Sequence, residues 1–178
     1  MIDNMVIILL QGIRKTGYLL SPQSESVLKE GLKYFEGLKS GYLIISGGYK
    51  KGSVTESSIA KKYIDSSSFP IGRNIFFEEK SAFAKGGTIS NFQEIASLLE
   101  SNYLDKRHYQ FIVFTQVKTV SRTKIIAKKF LPSDQCSFIG IKTIYGNNVQ
   151  TRYSTKLLFT IWNSVMYIAT IAWSVFHK

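Results

Sequence analysis

Five short runs of apolar, largely β-branched and aromatic residues punctuate the chain: Met5–Leu10 (MVIILL), Tyr42–Ser46 (YLIIS), Asn74–Glu78 (NIFFE), Gln110–Thr115 (QFIVFT) and Ser137–Ile141 (SFIGI). Each is nearly continuous in apolar residues. That pattern suits a strand buried on both faces of a parallel sheet better than the alternation of a half-exposed one. Between the runs, apolar residues recur at helical spacing. Val27, Leu28, Gly31, Leu32 and Phe35 share a face over 24–38, and Ile59, Ala60 and Tyr63 open a second helix after Ser53. Phe92, Ile95, Ala96, Leu98 and Leu99 stripe a third, and Ile125, Ile126, Ala127 and Phe130 a fourth. Strand and helix alternate, which predicts right-handed βαβ crossovers and an α/β sandwich of three layers around a mainly parallel sheet of about five strands. Ligands of such sheets bind outside the carboxyl ends of the strands. Gly12, the Ser46–Gly47–Gly48 turn, Glu78 and Thr115 are therefore expected along one edge.

The two termini read differently. The first apolar run is too short for a signal segment, follows Asp3 and lacks a small-residue cleavage site, so it is expected to be a core strand. Leu157–Phe176 carries no charge and is close to the length that crosses a bilayer as a helix. Thr160, Asn163, Ser164, Thr170 and Ser174 interrupt it, leaving a docked amphipathic helix as the alternative. The organisation expected is one domain over 1–150 and a hydrophobic carboxyl-terminal helix over 151–178 that can serve as a membrane anchor. Arg152 and Lys156 before the helix favour a domain on the cytoplasmic side. The expected location is thus the cell membrane with a cytoplasmic domain, or the cytoplasm.

Charge and cysteine usage narrow the partners. The 178 residues carry 23 Lys and Arg against 12 Asp and Glu, a net charge of +11. The basic residues are scattered, which fits a solvated surface or attraction to anionic lipid better than a nucleic-acid face. One cysteine, Cys136, and two histidines, His108 and His177, exclude an intrachain disulfide, a thiolate metal cluster and a histidine-rich metal site.

Four polar clusters fall at the predicted strand ends. Ser46-Gly47-Gly48 permits close backbone approach to a ligand, with the next helix offering its amides to an anion, though a simple tight turn explains it equally. Ser53 and Glu56 have the spacing of a capping box. Ser90 and Gln93 could cap the third helix, which would make Thr88, Ser90 and Asn91 a helix start. The fourth, Thr115 to Arg122 (TQVKTVSR), puts a cation in the first turns of a helix, where the macrodipole disfavours it unless an anion or a carboxylate such as Glu56 or Glu78 is near.

Taken in order, I-S-G-G (Ile45–Gly48), T-E (Thr55, Glu56), E-x-x-S (Glu78, Ser81), T-x-x-N (Thr88, Asn91) and T-x6-R (Thr115, Arg122) resemble the YdcF-like family, the ElyC/SanA-related domains of unknown function. The likeness covers about Met5 to Ile141. It implies a Rossmann-like domain with Glu56, Glu78 and Arg122 as candidate catalytic groups. It also implies Gly12, Ser46, Gly47, Gly48, Ser81, Thr88, Asn91 and Thr115 around a small-molecule cleft, with no metal. Family members are associated with cell-envelope biogenesis and in one case with S-adenosylmethionine, so the partner implied is a small anionic or nucleotide-like ligand. The chain departs from the pattern where Thr119 replaces a histidine, Gln116 a serine and Val27 an arginine, and where residues such as AKGG are added between Ser81 and Thr88. Loss of that histidine removes the side chain best suited to proton transfer near neutral pH.

Overall fold

Strand β1 (Met5–Leu10) occupies the centre of the sheet, and its composition follows from that position: Val6, Ile7, Ile8 and Leu9 are all fully buried. In the computed structural model, residues 4–11, 19–48, 50–51, 54–67, 69, 74–81, 87–102, 104–142 and 156–176 are described. Gly12, Ser53 and the 143–155 stretch, on which expectations were placed, lie outside them. Helix α1 (Pro22–Glu36) follows β1, with the Ser21 hydroxyl capping it by accepting from the Ser24 amide at 3.2 Å. Then come β2 (Tyr42–Ser46), a two-residue pair β3 (Lys50–Lys51) and β4 (Val54–Thr55), α2 (Glu56–Asp65), β5 (Ile75–Glu78), α3 (Thr88–Ser101), β6 (Gln110–Gln116), α4 (Val120–Ala127), β7 (Cys136–Ile141) and α5 (Lys156–Phe176).

The main sheet runs β5-β2-β1-β6-β7 with every pairing parallel. This is a Rossmann-like order, in which the chain steps outward from β1 in one direction and then returns to build in the other. The reversal falls between β1 and β6. Alternate side chains serve the two faces. Ile7 and Leu9 of β1 pack with Val27, Leu28, Ala60 and Ile64 of α1 and α2. Val6, Ile8 and Leu10 pack with Phe92, Ile95, Leu99 and Ile126 of α3 and α4. Burying each such side chain contributes about 1.5–3 kcal/mol, so both helical layers are needed to hold the strand. Gly31 lets α1 approach closely, since a Cβ there would lie 2.1 Å from Leu9 Cδ2.

Helix α5 differs from the expected span. Among the described residues no helix is long and apolar enough to cross a membrane. Instead α5 lies against α4: the Lys118 ammonium donates to Thr160 Oγ1 at 2.5 Å, and Trp173 stacks on Phe130 at 6.4 Å between ring centroids. These contacts join start to start and end to end, so α4 and α5 run in the same direction. Among the described residues, those that α5 buries most deeply are polar, Asn163 at 8% and Thr170 at 4% exposure.

Candidate functional site

The carboxyl ends of β2 and β5 are tied together by one carboxylate. Glu78, 3% exposed, accepts from the Ser46 hydroxyl at 2.6 Å, the Lys80 amide at 2.6 Å and the Ser81 amide at 2.7 Å. The Ser81 hydroxyl accepts from the Gly48 amide at 2.8 Å, and the Gly47 amide donates to the Glu78 carbonyl at 3.2 Å. A carboxylate that takes several N–H and O–H donors is a strong acceptor hub. Here it closes the turn after β5 onto the Ser46-Gly47-Gly48 segment. Gly48 is needed for space: a Cβ there would meet the Ser81 carbonyl oxygen at 2.0 Å. Neither Gly47 nor Gly48 has a left-handed backbone, so the requirement is proximity and not φ above zero.

The next helix begins later than the spacing predicts, and through a different cap. Thr55 Oγ1 accepts from the Ser58 amide at 3.0 Å while the Ser58 hydroxyl accepts from the Thr55 amide at 3.0 Å, a reciprocal box that leaves Glu56 as the first helical residue. The Ser57 amide donates to the Gly47 carbonyl and the Ser57 hydroxyl to the Ile45 carbonyl, both at 2.8 Å. Two first-turn amides of α2 are thus satisfied within the chain, and a carboxylate stands beside them. This end of α2 is consequently a poor place for an anion, since Glu56 would repel it. Glu56 is 4% exposed, and its Cβ and that of Gln11 would both lie 2.9 Å from a side chain at Gly47.

That neighbour, Gln11, is the residue sequence reasoning missed. It follows β1 directly, at the reversal point of the sheet, and is 6% exposed. Among the described residues, neither its Nε2 nor its Oε1 finds a hydrogen-bond partner. A buried amide without partners costs about 1–3 kcal/mol, which makes it exceptional in a native structure. The available signal was its position, a polar residue closing the first apolar run.

On the other side of the reversal, β6 leads through a short 3₁₀ turn (Val117–Thr119) into α4. Thr119 donates its hydroxyl proton to the Gln116 carbonyl at 2.8 Å, so in its 2.9 Å contact with Thr115 it is Thr115 that donates. The threonine in the histidine position therefore extends a hydroxyl chain and offers no group that titrates near neutral pH. Half-buried Arg122 reaches across to α3, its Nη2 donating to Thr88 Oγ1 at 3.3 Å. Helix α3 starts at Thr88, not at Ser90. Gly87 precedes it with φ 54° and no side chain caps it, while Asn91 lies a turn inside with its amide on the Gly87 carbonyl at 3.0 Å. An uncapped helix start with an arginine beside it is suited to negative charge.

The carboxyl edge therefore brings together Ser46, Gly47, Gly48, Glu78 and Ser81 as one bonded turn, Glu56 with Gln11 beside it, and Thr88 with Arg122 across the reversal. No family model, no curated protein and no solved structure matches the chain. Among the described residues no three of His, Cys, Asp and Glu converge as a metal-binding group.

Cys136, at the start of β7, is a poor nucleophile. Burial, with Asp134 adding to it, pushes its thiol up to about 11. At pH 8 about one thiol in a thousand is then ionised, against roughly a quarter for a free cysteine. Alkylation by iodoacetamide at pH 8 is expected to be about a hundredfold slower than for glutathione. Mass spectrometry over time checks this, and labelling at the rate of the free thiol would contradict it.

Proposed function

We propose that this chain is a YdcF-like protein that binds a phosphate-bearing or nucleotide-like small molecule, S-adenosylmethionine among the candidates, across the carboxyl ends of β1 and β6, in a role linked to cell-envelope biogenesis. The observation that carries the reading is the buried amide of Gln11 at the reversal point of the sheet, which has no hydrogen-bond partner among the described residues. That amide can both donate and accept, as the edge of a nucleobase or an amino-acid group requires. Arg122 and the uncapped start of α3 supply the complement for an anionic group. Glu56 is the acid or base that such a ligand would meet first, because Glu78 is committed to the turn.

The test is thermal unfolding of the full chain with inorganic phosphate, AMP and S-adenosylmethionine, repeated on Gln11→Leu. Removing two unsatisfied polar atoms is expected to raise the ligand-free Tm by roughly 2–4 °C, and to abolish the further rise that a nucleotide-like probe gives the parent protein. No rise with any probe in the parent, or an unchanged rise in Gln11→Leu, would reject this site.

Thr119 favours a second reading, a catalytically inactive interaction module with the same fold, tethered to a membrane. Its hydroxyl is bound between Thr115 and Gln116 and supplies no proton-transfer group. Under this reading a bound probe is recovered chemically unchanged after prolonged incubation, whereas a converted product would point to an enzyme.

A further inference from the structure

Helix α5 is inverted relative to an ordinary surface helix. It buries Asn163 and Thr170 against the domain and turns its aliphatic residues outward: Leu157 is 68%, Ile161 52%, Val165 54%, Ile168 68%, Val175 56% and Phe176 83% exposed. At 3.6 residues per turn these positions, together with exposed Leu158 and Ile171, fall within an arc about 140° wide. Trp162 lies just beyond one border of the arc and Tyr167 beyond the other, while Trp173 is turned onto Phe130 of the domain. An apolar face edged by amphipathic aromatic rings matches the layering of a bilayer surface, where aliphatic groups enter the acyl region and Trp and Tyr sit at headgroup level.

Cationic groups lie near the point where the end of α5 meets the domain. Phe130, which stacks on Trp173, also lines a groove of 660 Å³ at the opposite edge of the sheet from the candidate site, bordered by Lys106, Arg107, Lys128 and Lys129. Two of the four are neutralised, Lys106 by Glu100 and Arg107 by Asp105, each at 2.8 Å. Among the described residues Lys128 and Lys129 have no acidic partner, and both are exposed. With a net charge of +11, the protein is drawn to an anionic surface and repelled by a second copy of itself. The arc is also broader than the narrow seam of a coiled coil.

We infer that α5 is an in-plane membrane-docking helix, its outward aliphatic face entering an anionic lipid bilayer while its polar side stays on α4. This gives the tethered reading its means of attachment and needs no ligand at the strand ends.

The experiment is flotation of the full chain with phosphatidylcholine vesicles, with and without phosphatidylglycerol, beside Ile168→Asp and a Lys128→Gln/Lys129→Gln pair. All three positions are exposed, so unchanged melting temperatures and, if a nucleotide-like probe binds, an unchanged response to it separate this result from failure of the strand-end site. The parent is expected to float with anionic vesicles and to be released by alkaline carbonate. Ile168→Asp is expected to bind at least tenfold more weakly, and the lysine pair roughly thirtyfold more weakly at low salt. Carbonate-resistant binding, binding that Ile168→Asp leaves intact, or a dimer that Ile168→Asp dissociates while vesicles go unbound would each overturn it.

Discussion

Gly48→Ala is expected to lower unfolding stability by about 3 kcal/mol or more, at the upper end of what overpacking costs. The added methyl would lie 2.0 Å from the Ser81 carbonyl oxygen and 2.5 Å from its amide nitrogen. Both are backbone atoms in a turn already held by Glu78, so the clash cannot be relieved by rotating a side chain. Relief would require pulling Ser81 away from the Gly48 amide and losing the 2.8 Å bond to its hydroxyl. Gly47→Ala is the milder control, because its contacts, at 2.9 Å, are with the Cβ atoms of Gln11 and Glu56. Urea denaturation of both variants checks the order, and a Gly48→Ala loss below 1 kcal/mol would mean that the two strand ends do not approach as described.

Glu78→Ala is expected to cost about 3–5 kcal/mol, because it strands three buried or half-buried donors at once. Glu78→Gln should be intermediate, about 2 kcal/mol, since its carbonyl can still accept while its amide group faces N–H donors. Hydrogen exchange adds a local readout: the Lys80 and Ser81 amides should lose protection well before the β1 core does. If both variants melt with the parent and those amides stay protected, Glu78 is not the acceptor that holds this turn. The same hub limits what Glu78 can do chemically. A carboxylate serving three donors has little lone-pair capacity left for a substrate.

The central strands were the most legible part of the sequence, and the reason is their burial on both faces. Runs such as MVIILL and QFIVFT permit no exposed register, and their observed ends fall within a residue of those read from the apolar pattern. Helix starts were less legible. Ser53–Glu56 and Thr55–Ser58 have the same capping spacing, and the choice of Thr55 depends on the β3–β4 pair, whose two-residue strands are too short to leave any alternation. The ordered motifs brought Ser46, Gly48, Glu78 and Ser81 into one turn, yet whether Glu78 is a base or an acceptor hub depends on where the amides of Lys80 and Ser81 point. No spacing rule encodes that. Gln11 was illegible for a related reason: a glutamine after a strand is ordinary until it proves to be buried with no partner among the described residues. In α5 the count of apolar residues suggested a span, but which side faces the domain was decided by Asn163, Thr170 and the Lys118–Thr160 contact.

The central position of β1 also sets a timetable for folding. Its β2 partner follows it early in synthesis, but the residues of β6 that pair with Met5–Leu9 are made about a hundred residues later. At ribosomal rates of 5–20 residues per second, one edge of MVIILL waits roughly 5–20 s for its neighbour. Throughout that interval the nascent chain carries an uncharged, strongly β-forming segment with an open edge, the kind of stretch that pairs with other chains if left uncovered. Yield in the cell should therefore depend on elongation speed and on chaperones that shield that edge, more than on the stability of the finished sheet.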